Sequence, residues 1–197
     1  YHRDSNRAYK QCGRCGLVFV ESQYRLSPAQ EKAEYDLHQN SPADRAYRAF
    51  LSRLLVPLLP RLESGAKGLD FGCGPGPALS HMLSEAGFDI NIYDINYFKD
   101  ASVLEQSYDF ITATELVEHL HAPGKILLRL WSLLPRGGCL GLMTKLLIDV
   151  EAFSNWHYKN DPTHVCFYSR GCFKYIARVL NADLSIVGKD VIILTKL

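Results

Sequence analysis

A glycine-rich turn that follows an acid is the stretch of this sequence best suited to chemistry. The stretch LDFGCGPG places Gly72, Gly74 and Gly76 after Asp70, with an apolar run before it and an amphipathic segment over residues 78–86 behind it. That order indicates a strand, a tight turn and a helix. Glycine permits positive φ and close backbone approach, and open parallel sheets bind ligands at the carboxyl ends of their strands. The turn therefore predicts a site for a nucleotide-like cofactor.

A nicotinamide dinucleotide is the alternative cofactor for such a turn. Its fingerprint, GxGxxG, uses a third glycine for close helix–strand packing and a helix N-terminus to hold the pyrophosphate. Here Gly76 comes one residue early, and Pro75 and Pro77 flank it. Because proline removes the backbone N–H donors that a pyrophosphate needs, the turn favours a cofactor without phosphate.

Three further stretches follow in order along the chain. IYD ends at Asp94, which stands 22 residues after Gly72. The second stretch is YDFI, which begins at Tyr108 and is followed by ELVEH from Glu115. The third is LPRGG, which begins at Leu134. Together with the glycine turn, these motifs resemble those of class I S-adenosylmethionine-dependent methyltransferases, and the resemblance covers residues 43–197. It implies S-adenosylmethionine as the cofactor.

The resemblance also implies how the cofactor is held. The backbone of Gly72 and Gly74 approaches its methionine and ribose parts, and Asp70 binds it through a water or fixes the loop. Asp94 accepts hydrogen bonds from both ribose hydroxyls, since a carboxylate has two acceptor oxygens. The remaining expected contacts are Cys73, Gly76, Ile95, Thr114 and Glu115. Alternatives stay open: Asp70 and Asp94 also suit turn-stabilising acids, and Glu115 suits an acid at a helix N-terminus.

The interval before the fourth-strand motif is short. Only 14 residues separate Asp94 from Asp109, where the resembled family usually fits a helix, a third strand and a turn. We therefore expect the third strand to be missing, with at most a short helix over residues 101–106. Adenine is then expected to rest on a small set of side chains, namely Ile95, Tyr97 or Phe98, with Ser102 nearby.

Three histidines are candidates for proton transfer with the acceptor. His157 and His164 lie in an irregular, aromatic stretch over residues 155–164, where loops of the resembled fold cover the acceptor. Its DPTH sequence is similar to stretches of small-molecule methyltransferases. His119 follows the fourth-strand motif. Imidazole titrates near neutral pH, so each can accept a proton from a hydroxyl or amine. Ordinary hydrogen bonding in a loop, or packing on a helix for His119, is the alternative.

Cys12 and Cys15 form a CxxC pair that resembles half of a zinc ribbon. Tetrahedral zinc needs four ligands, and His2 is a candidate for a third. A reduced knuckle without metal is the alternative. The other cysteines are expected to be packed, reduced thiols of a cytoplasmic protein: Cys73, Cys139, Cys166 and Cys172.

Hydrophobic periodicity predicts the elements that position these residues. Strands are expected over residues 68–71, 90–93, 110–113, 139–144, 184–188 and 191–196, and helices over 78–86, 115–120, 124–134 and 171–180. Ser27 and Ser41, each before a proline, predict two earlier helix starts. The fold class is thus α/β: a Rossmann-like, doubly wound, mostly parallel sheet with a C-terminal antiparallel hairpin. Three segments are expected: a CxxC segment over 1–25, helices over 26–64 and the cofactor domain over 65–197.

Composition narrows the function. The 197 residues carry a net charge of +1 without a run of lysine or arginine, which argues against a nucleic-acid partner. No apolar stretch approaches the roughly 20 residues of a membrane span. The sequence therefore predicts methyl transfer to a small-molecule acceptor in the cytoplasm. A non-catalytic cofactor-binding or recruitment module, and an RNA or protein methyltransferase, remain the alternatives.

Overall fold

The computed structural model describes residues 1–37 and 41–197. Its strands are β1 (His2–Arg3), β2 (Ala8–Gln11), β3 (Val18–Val20), β4 (Lys67–Phe71), β5 (Asp89–Tyr93), β6 (Phe110–Thr114), β7 (Cys139–Met143), β8 (Cys166–Phe167), β9 (Ala182–Val187) and β10 (Val191–Lys196). Its helices are α1 (Pro28–Tyr35), α2 (Arg45–Leu58), α3 (Ala78–Glu85), α4 (Pro123–Ser132), α5 (Val150–Ser154) and α6 (Arg170–Leu180).

The main sheet has six strands in the order β5-β4-β6-β7-β10-β9. Strands β5, β4, β6 and β7 run parallel to one another, whereas β10 is antiparallel to both β7 and β9. This confirms the mostly parallel sheet with its C-terminal hairpin. In the described chain no strand lies between β5 and β6, and a 3-10 turn over Ala101–Glu105 occupies that interval. The missing third strand is therefore confirmed, and β5 is an edge strand.

Both faces of the main sheet are covered because successive residues of a strand point to opposite faces. On β10, Ile193 packs in the cluster that contains the buried leucines of α2, while Ile192 packs in the cluster with Leu130 of α4 and Phe173 of α6. The same alternation places Phe110 and Ile111 of β6 on different faces. The alternation of apolar strands and amphipathic helices thus gives a doubly wound fold, as predicted.

Two predicted helix starts have different outcomes. Ser27 caps α1 through a complete capping box with Gln30, as expected. The start at Ser41 is wrong, because Asp44 caps α2 by accepting from the N–H groups of Ala46 and Tyr47. The better-placed carboxylate thus moves the helix start three residues along the chain.

The helix predicted over residues 115–120 is also wrong. Only a 3-10 turn over Val117–His119 forms there. Glu115 adopts a left-handed φ of 47° and Leu116 a φ of −125°, so the chain cannot enter a helix directly from β6. The ELVEH stretch therefore forms a tight turn rather than a helix.

The N-terminal segment belongs to a second sheet, ordered β1-β2-β3-β8. Strand β3 pairs antiparallel with β8, with Val18 opposite Phe167. The Arg7 guanidinium donates to the carbonyl oxygens of Asp161 at 2.9 Å and His164 at 3.1 Å, and also contacts those of Lys159 and Pro162. The segment over residues 1–25 is thus bonded to the irregular stretch that carries two of the candidate histidines.

Candidate active site

A cavity of about 710 Å³ opens at the carboxyl ends of β4, β5 and β6. The glycine turn and the ends of β5 and β6 form its floor. Helix α1 covers it through Pro28, Glu31 and Tyr35, and His119, Asp161 and His164 line it away from the turn. The topology therefore joins the expected cofactor turn and two of the candidate histidines in one cavity.

The glycine turn depends on positive φ at two positions. Gly72 has a φ of 76°, and a Cβ there would meet Leu116 Cδ2 at 2.6 Å. Gly74 has a φ of 66°, and a Cβ there would have nothing within 4 Å. Both residues and Cys73 line the cavity, and burial raises the pKa of the Cys73 thiol. Gly76 is not among the lining residues; its carbonyl accepts from the N–H of Ala78 at 2.7 Å at the start of α3.

Asp70 lies beneath the turn, not among the cavity-lining residues. Its side chain is 2% exposed, and Oδ1 accepts from Thr112 Oγ1 on β6 at 2.9 Å. A hydrogen bond with the backbone of Ser80 ties it also to α3. Burial raises the pKa of Asp70 to about 6. These contacts favour the loop-fixing alternative for Asp70.

Asp94 ends β5 and lines the cavity beside the turn. Its Oδ2 accepts from the N–H of Gly74 at 3.1 Å, and its Oδ1 accepts from the N–H groups of Asn96 at 2.7 Å and Tyr97 at 3.2 Å. A carboxylate has about four acceptor positions, so three main-chain donors leave about one. The geometry thus supports a single further hydrogen bond, where the sequence predicted two.

The stretch after Asp94 forms the outer rim of the cavity. Ile95 is 70% exposed and lines the cavity with Tyr97. Phe98 instead forms a backbone bridge with Asp94, and Ser102 bonds Asp100, so neither is a lining residue. The apolar surface available to an adenine ring is therefore that of Ile95 and Tyr97.

Two glutamates follow β6, of which Glu115 is half-buried and Glu118 fully buried. Burial raises the pKa of Glu115 to about 7. Burial, together with the charge of Glu115, raises the pKa of Glu118 to about 8. The Tyr158 hydroxyl donates to Glu118 Oε1, while Glu118 Oε2 and Glu115 Oε1 are buried with no hydrogen-bond partner among the described residues. Neither Glu118 nor Tyr158 is among the residues predicted to form the site. The second acid of ELVEH is a sequence signal for Glu118.

The candidate histidines separate into two groups. His119 and His164 lie together, with ring centroids 4.7 Å apart, and both line the cavity. Burial lowers the pKa of His164. His157, in contrast, is exposed outside the cavity lining, with Nε2 3.1 Å from Lys145 Nζ, because a 3-10 turn over His157–Asn160 directs it away. His121, which the sequence analysis passed over, lines the cavity and pairs with Glu31 at 2.7 Å.

The CxxC pair lies in the turn between β2 and β3, away from this cavity. Backbone hydrogen bonds from Cys15 and Arg14 lower the pKa of Cys12. The His2 ring packs against the rings of Tyr9 and Phe153. Over residues 1–37 and 41–197, no group of three metal-ligating side chains includes either cysteine. Cys139, Cys166 and Cys172 are buried free thiols, as predicted.

The sheet order, the glycine turn and the acid at the end of β5 define the class I S-adenosylmethionine-dependent methyltransferase fold. Residues 43–184 match the family model described as a methyltransferase domain, and the chain belongs to that family. No curated protein matches it by sequence. None of the described helices has the length and apolar character needed to cross a membrane.

Solved structures with similar folds support this class. Magnesium protoporphyrin IX methyltransferase from Synechocystis PCC 6803, with bound SAH, is 13% identical with a TM-score of 0.61, over 86% of this chain and 95% of that one. A SAM-dependent methyltransferase from Archaeoglobus fulgidus is 18% identical with a TM-score of 0.60, over 84% of this chain and 99% of that one. At these identities the similarity establishes the shared fold.

Proposed function

We propose that this protein transfers a methyl group from S-adenosylmethionine to a small-molecule acceptor that enters the same cavity. The proposal rests on one observation: a single cavity joins Gly74 and Asp94 at one side to His119, Asp161 and His164 at the other. The first side suits the cofactor and the second suits the acceptor. The shared fold and the family support this division.

The residues present fit the cofactor. No side chain fills the space above Gly74, so a ligand can approach its backbone. The remaining acceptor position of Asp94 can take a ribose hydroxyl. Glu115 Oε1, buried without a partner among the described residues, provides an acceptor for the ammonium of the methionine part. Thr114, which also lines the cavity, is placed beside it by β6.

When bound, S-adenosylmethionine supplies a methyl group on a positively charged sulfur, and the transfer is an in-line displacement. The carboxylates of Asp94 and Asp161 line the cavity and complement such a cation. Orienting two reactants can supply roughly 7–11 kcal/mol of a barrier, whereas a general base contributes about 10²–10⁴-fold. The main task of the residues around the cavity is therefore to position the acceptor and exclude competing geometries.

Calorimetric titration with S-adenosylmethionine and S-adenosylhomocysteine tests the cofactor assignment. Asp94→Asn should weaken both affinities about tenfold or more, because the site loses a charge and a loop contact. Asp89→Asn, at the exposed start of the same strand, is the matched control and should bind normally. Equal affinities for the two variants would contradict the ribose assignment.

Turnover tests the transfer. The protein should release S-adenosylhomocysteine when incubated with the cofactor and a panel of small hydroxyl, amine and thiol compounds. Tight cofactor binding without release across the panel would instead support a non-catalytic cofactor-binding module.

A further inference from the structure

Glu118, His119 and His164 form a compact cluster at the acceptor side of the cavity. Each offers one ligand atom, and these atoms all lie within 4.8 Å of one another. We propose that the cluster binds a divalent transition-metal cation of the zinc class, and that this cation holds the oxygen of a hydroxyl acceptor. The metal site stands on its own geometry, whereas its role toward the acceptor rests on the proposed function.

The two imidazoles are oriented as metal ligands are. His164 Nδ1 lies 2.6 Å from the carbonyl oxygen of Tyr158, and His119 Nδ1 lies 3.3 Å from that of Thr163. A carbonyl only accepts, so each Nδ1 carries the proton and each neutral ring has its lone pair on Nε2. A backbone carbonyl behind the ring is the usual support that fixes the tautomer of a ligating histidine.

Two carboxyl groups supply oxygen atoms at this position. Glu118 is fully buried, with Oε1 held by the Tyr158 hydroxyl and Oε2 lacking a hydrogen-bond partner among the described residues. A buried polar atom without a hydrogen-bond partner destabilises the folded protein, and a bound cation would relieve that cost. Asp161 Oδ2 lies 3.7 Å from His164 Nε2, while Thr163 N–H and Oγ1 hold Asp161 Oδ1 at 2.8 and 2.6 Å. Asp161 therefore adds a negative charge beside His164, one of the three ligating residues.

The ligand types select the metal. Two imidazoles with a carboxylate suit Zn²⁺ and related transition metals, whereas Mg²⁺ and Ca²⁺ prefer oxygen ligands throughout. Ligands of a tetrahedral Zn²⁺ stand about 3.4 Å apart, so side-chain movements of about 1 Å would close the site. His119 and His164 line the cavity and Glu118 lies behind them, so the open position faces the cavity.

A cation at this position defines a class of acceptor. It favours an ionised hydroxyl, because a bound divalent cation lowers the pKa of an oxygen ligand. In the transfer the acceptor O–H bond breaks and its proton passes to solvent. An O–C bond forms to the methyl group, the S–C bond breaks, and its electron pair remains on sulfur as S-adenosylhomocysteine. Phenols, enols and hydroxy acids are thus expected as acceptors in preference to amines.

Metal binding is tested on the full chain stripped with chelator and then titrated with Zn²⁺ or Co²⁺. The background carries Cys12→Ser and Cys15→Ser, which removes the partly exposed thiol pair as a competing site. This protein should bind about one Zn²⁺ per chain, and bound Co²⁺ should show d–d bands without thiolate charge transfer. Glu118→Gln and His119→Ala should weaken Zn²⁺ binding about a hundredfold or more, while His157→Ala should bind as the background does.

Cofactor binding separates the outcomes. S-adenosylmethionine affinity that stays within about twofold in Glu118→Gln would show that this variant is folded. Failure of the background protein to bind Zn²⁺ or Co²⁺ while it still binds the cofactor would overturn the metal site alone. Undiminished Zn²⁺ binding by Glu118→Gln would overturn it as well, whereas a protein that binds Zn²⁺ but not the cofactor would overturn the proposed function instead.

Discussion

The main-chain N–H of Gly74 donates to Asp94 Oδ2 at 3.1 Å, so the acid that ends β5 holds the glycine turn that follows β4. The two motifs are 20 residues apart in sequence and form one unit in the structure. Asp94 therefore shapes the turn as well as presenting a carboxylate to the cavity. This dual role explains why three of its acceptor positions are already occupied by main-chain donors.

The two glycines of the turn should differ in their tolerance of a side chain. Both Gly72→Ala and Gly74→Ala place an alanine in the left-handed backbone region. Gly72→Ala also causes a clash with Leu116, whereas Gly74→Ala causes none. We expect Gly74→Ala to cost about 1–2 kcal/mol of unfolding free energy and Gly72→Ala clearly more. Urea denaturation measures both. Measured in a Leu116→Ala background, Gly72→Ala should cost no more than Gly74→Ala does. A larger cost in that background would show that the clash with Leu116 is not its source.

Asp70 should make stability depend on pH. Its pKa is raised by burial from 3.8 to about 6, and the nearby charge of Asp94 adds to this. Glu115 and Glu118, whose pKa values are also raised, lower stability as the pH rises to about 8. The folded protein also keeps a proton on Asp70 that the unfolded chain releases above about pH 4, so the contribution of Asp70 to stability falls as the pH rises from about 4 to 6 and is then constant. The fall amounts to about 3 kcal/mol, an order-of-magnitude figure. Asp70→Asn should remove this contribution from denaturation curves between pH 4 and 6 and leave the part due to Glu115 and Glu118, whereas the exposed Asp89→Asn should retain all of it.

Arg7 should stabilise the acceptor side of the cavity. Its guanidinium is buried and contacts four carbonyl oxygens between Lys159 and His164. Arg7→Ala leaves those carbonyls without a donor and should cost on the order of 3 kcal/mol. Hydrogen exchange should accelerate over residues 159–165, with cofactor affinity little changed. Arg3→Ala removes one exposed contact with Tyr24 and serves as the control; equal effects from the two variants would contradict the assignment.

Helix α1 should become protected when the cavity is filled. It contributes no buried residue, and it covers the cavity through Pro28, Glu31 and Tyr35. The Tyr97 hydroxyl donates to Asp36 Oδ1 at 2.7 Å just after its end. A ligand in the cavity would contact α1 from below and stabilise it. S-adenosylhomocysteine should therefore slow the amide exchange of α1. The core strand β6 should exchange slowly with or without ligand; unchanged exchange in α1 at saturating ligand would show that it does not contact the bound molecule.

The sequence predicts the part of the cavity formed by the glycine turn and Asp94 better than the part lined by His119, Asp161 and His164. Periodicity locates the strands of the main sheet, and the spacing of Gly72 and Asp94 locates the cavity floor, because both are local properties. The buried pair of Glu118 and Tyr158 joins residues 40 positions apart, and no local pattern encodes that contact. The left-handed φ of Glu115 likewise depends on how the chain leaves β6. This turn prevents the helix that the sequence predicts over residues 115–120.

The contact between Arg7 and the Lys159 carbonyl spans 152 positions, whereas Gly74 meets Asp94 across only 20. Contacts between distant positions carry a larger loop-closure cost and slow folding. We therefore expect the cofactor side to assemble early and the acceptor side only after β3 has docked beside β8. We expect unfolding to follow the reverse order. Under mild denaturant the acceptor side should open first, while the glycine turn remains intact.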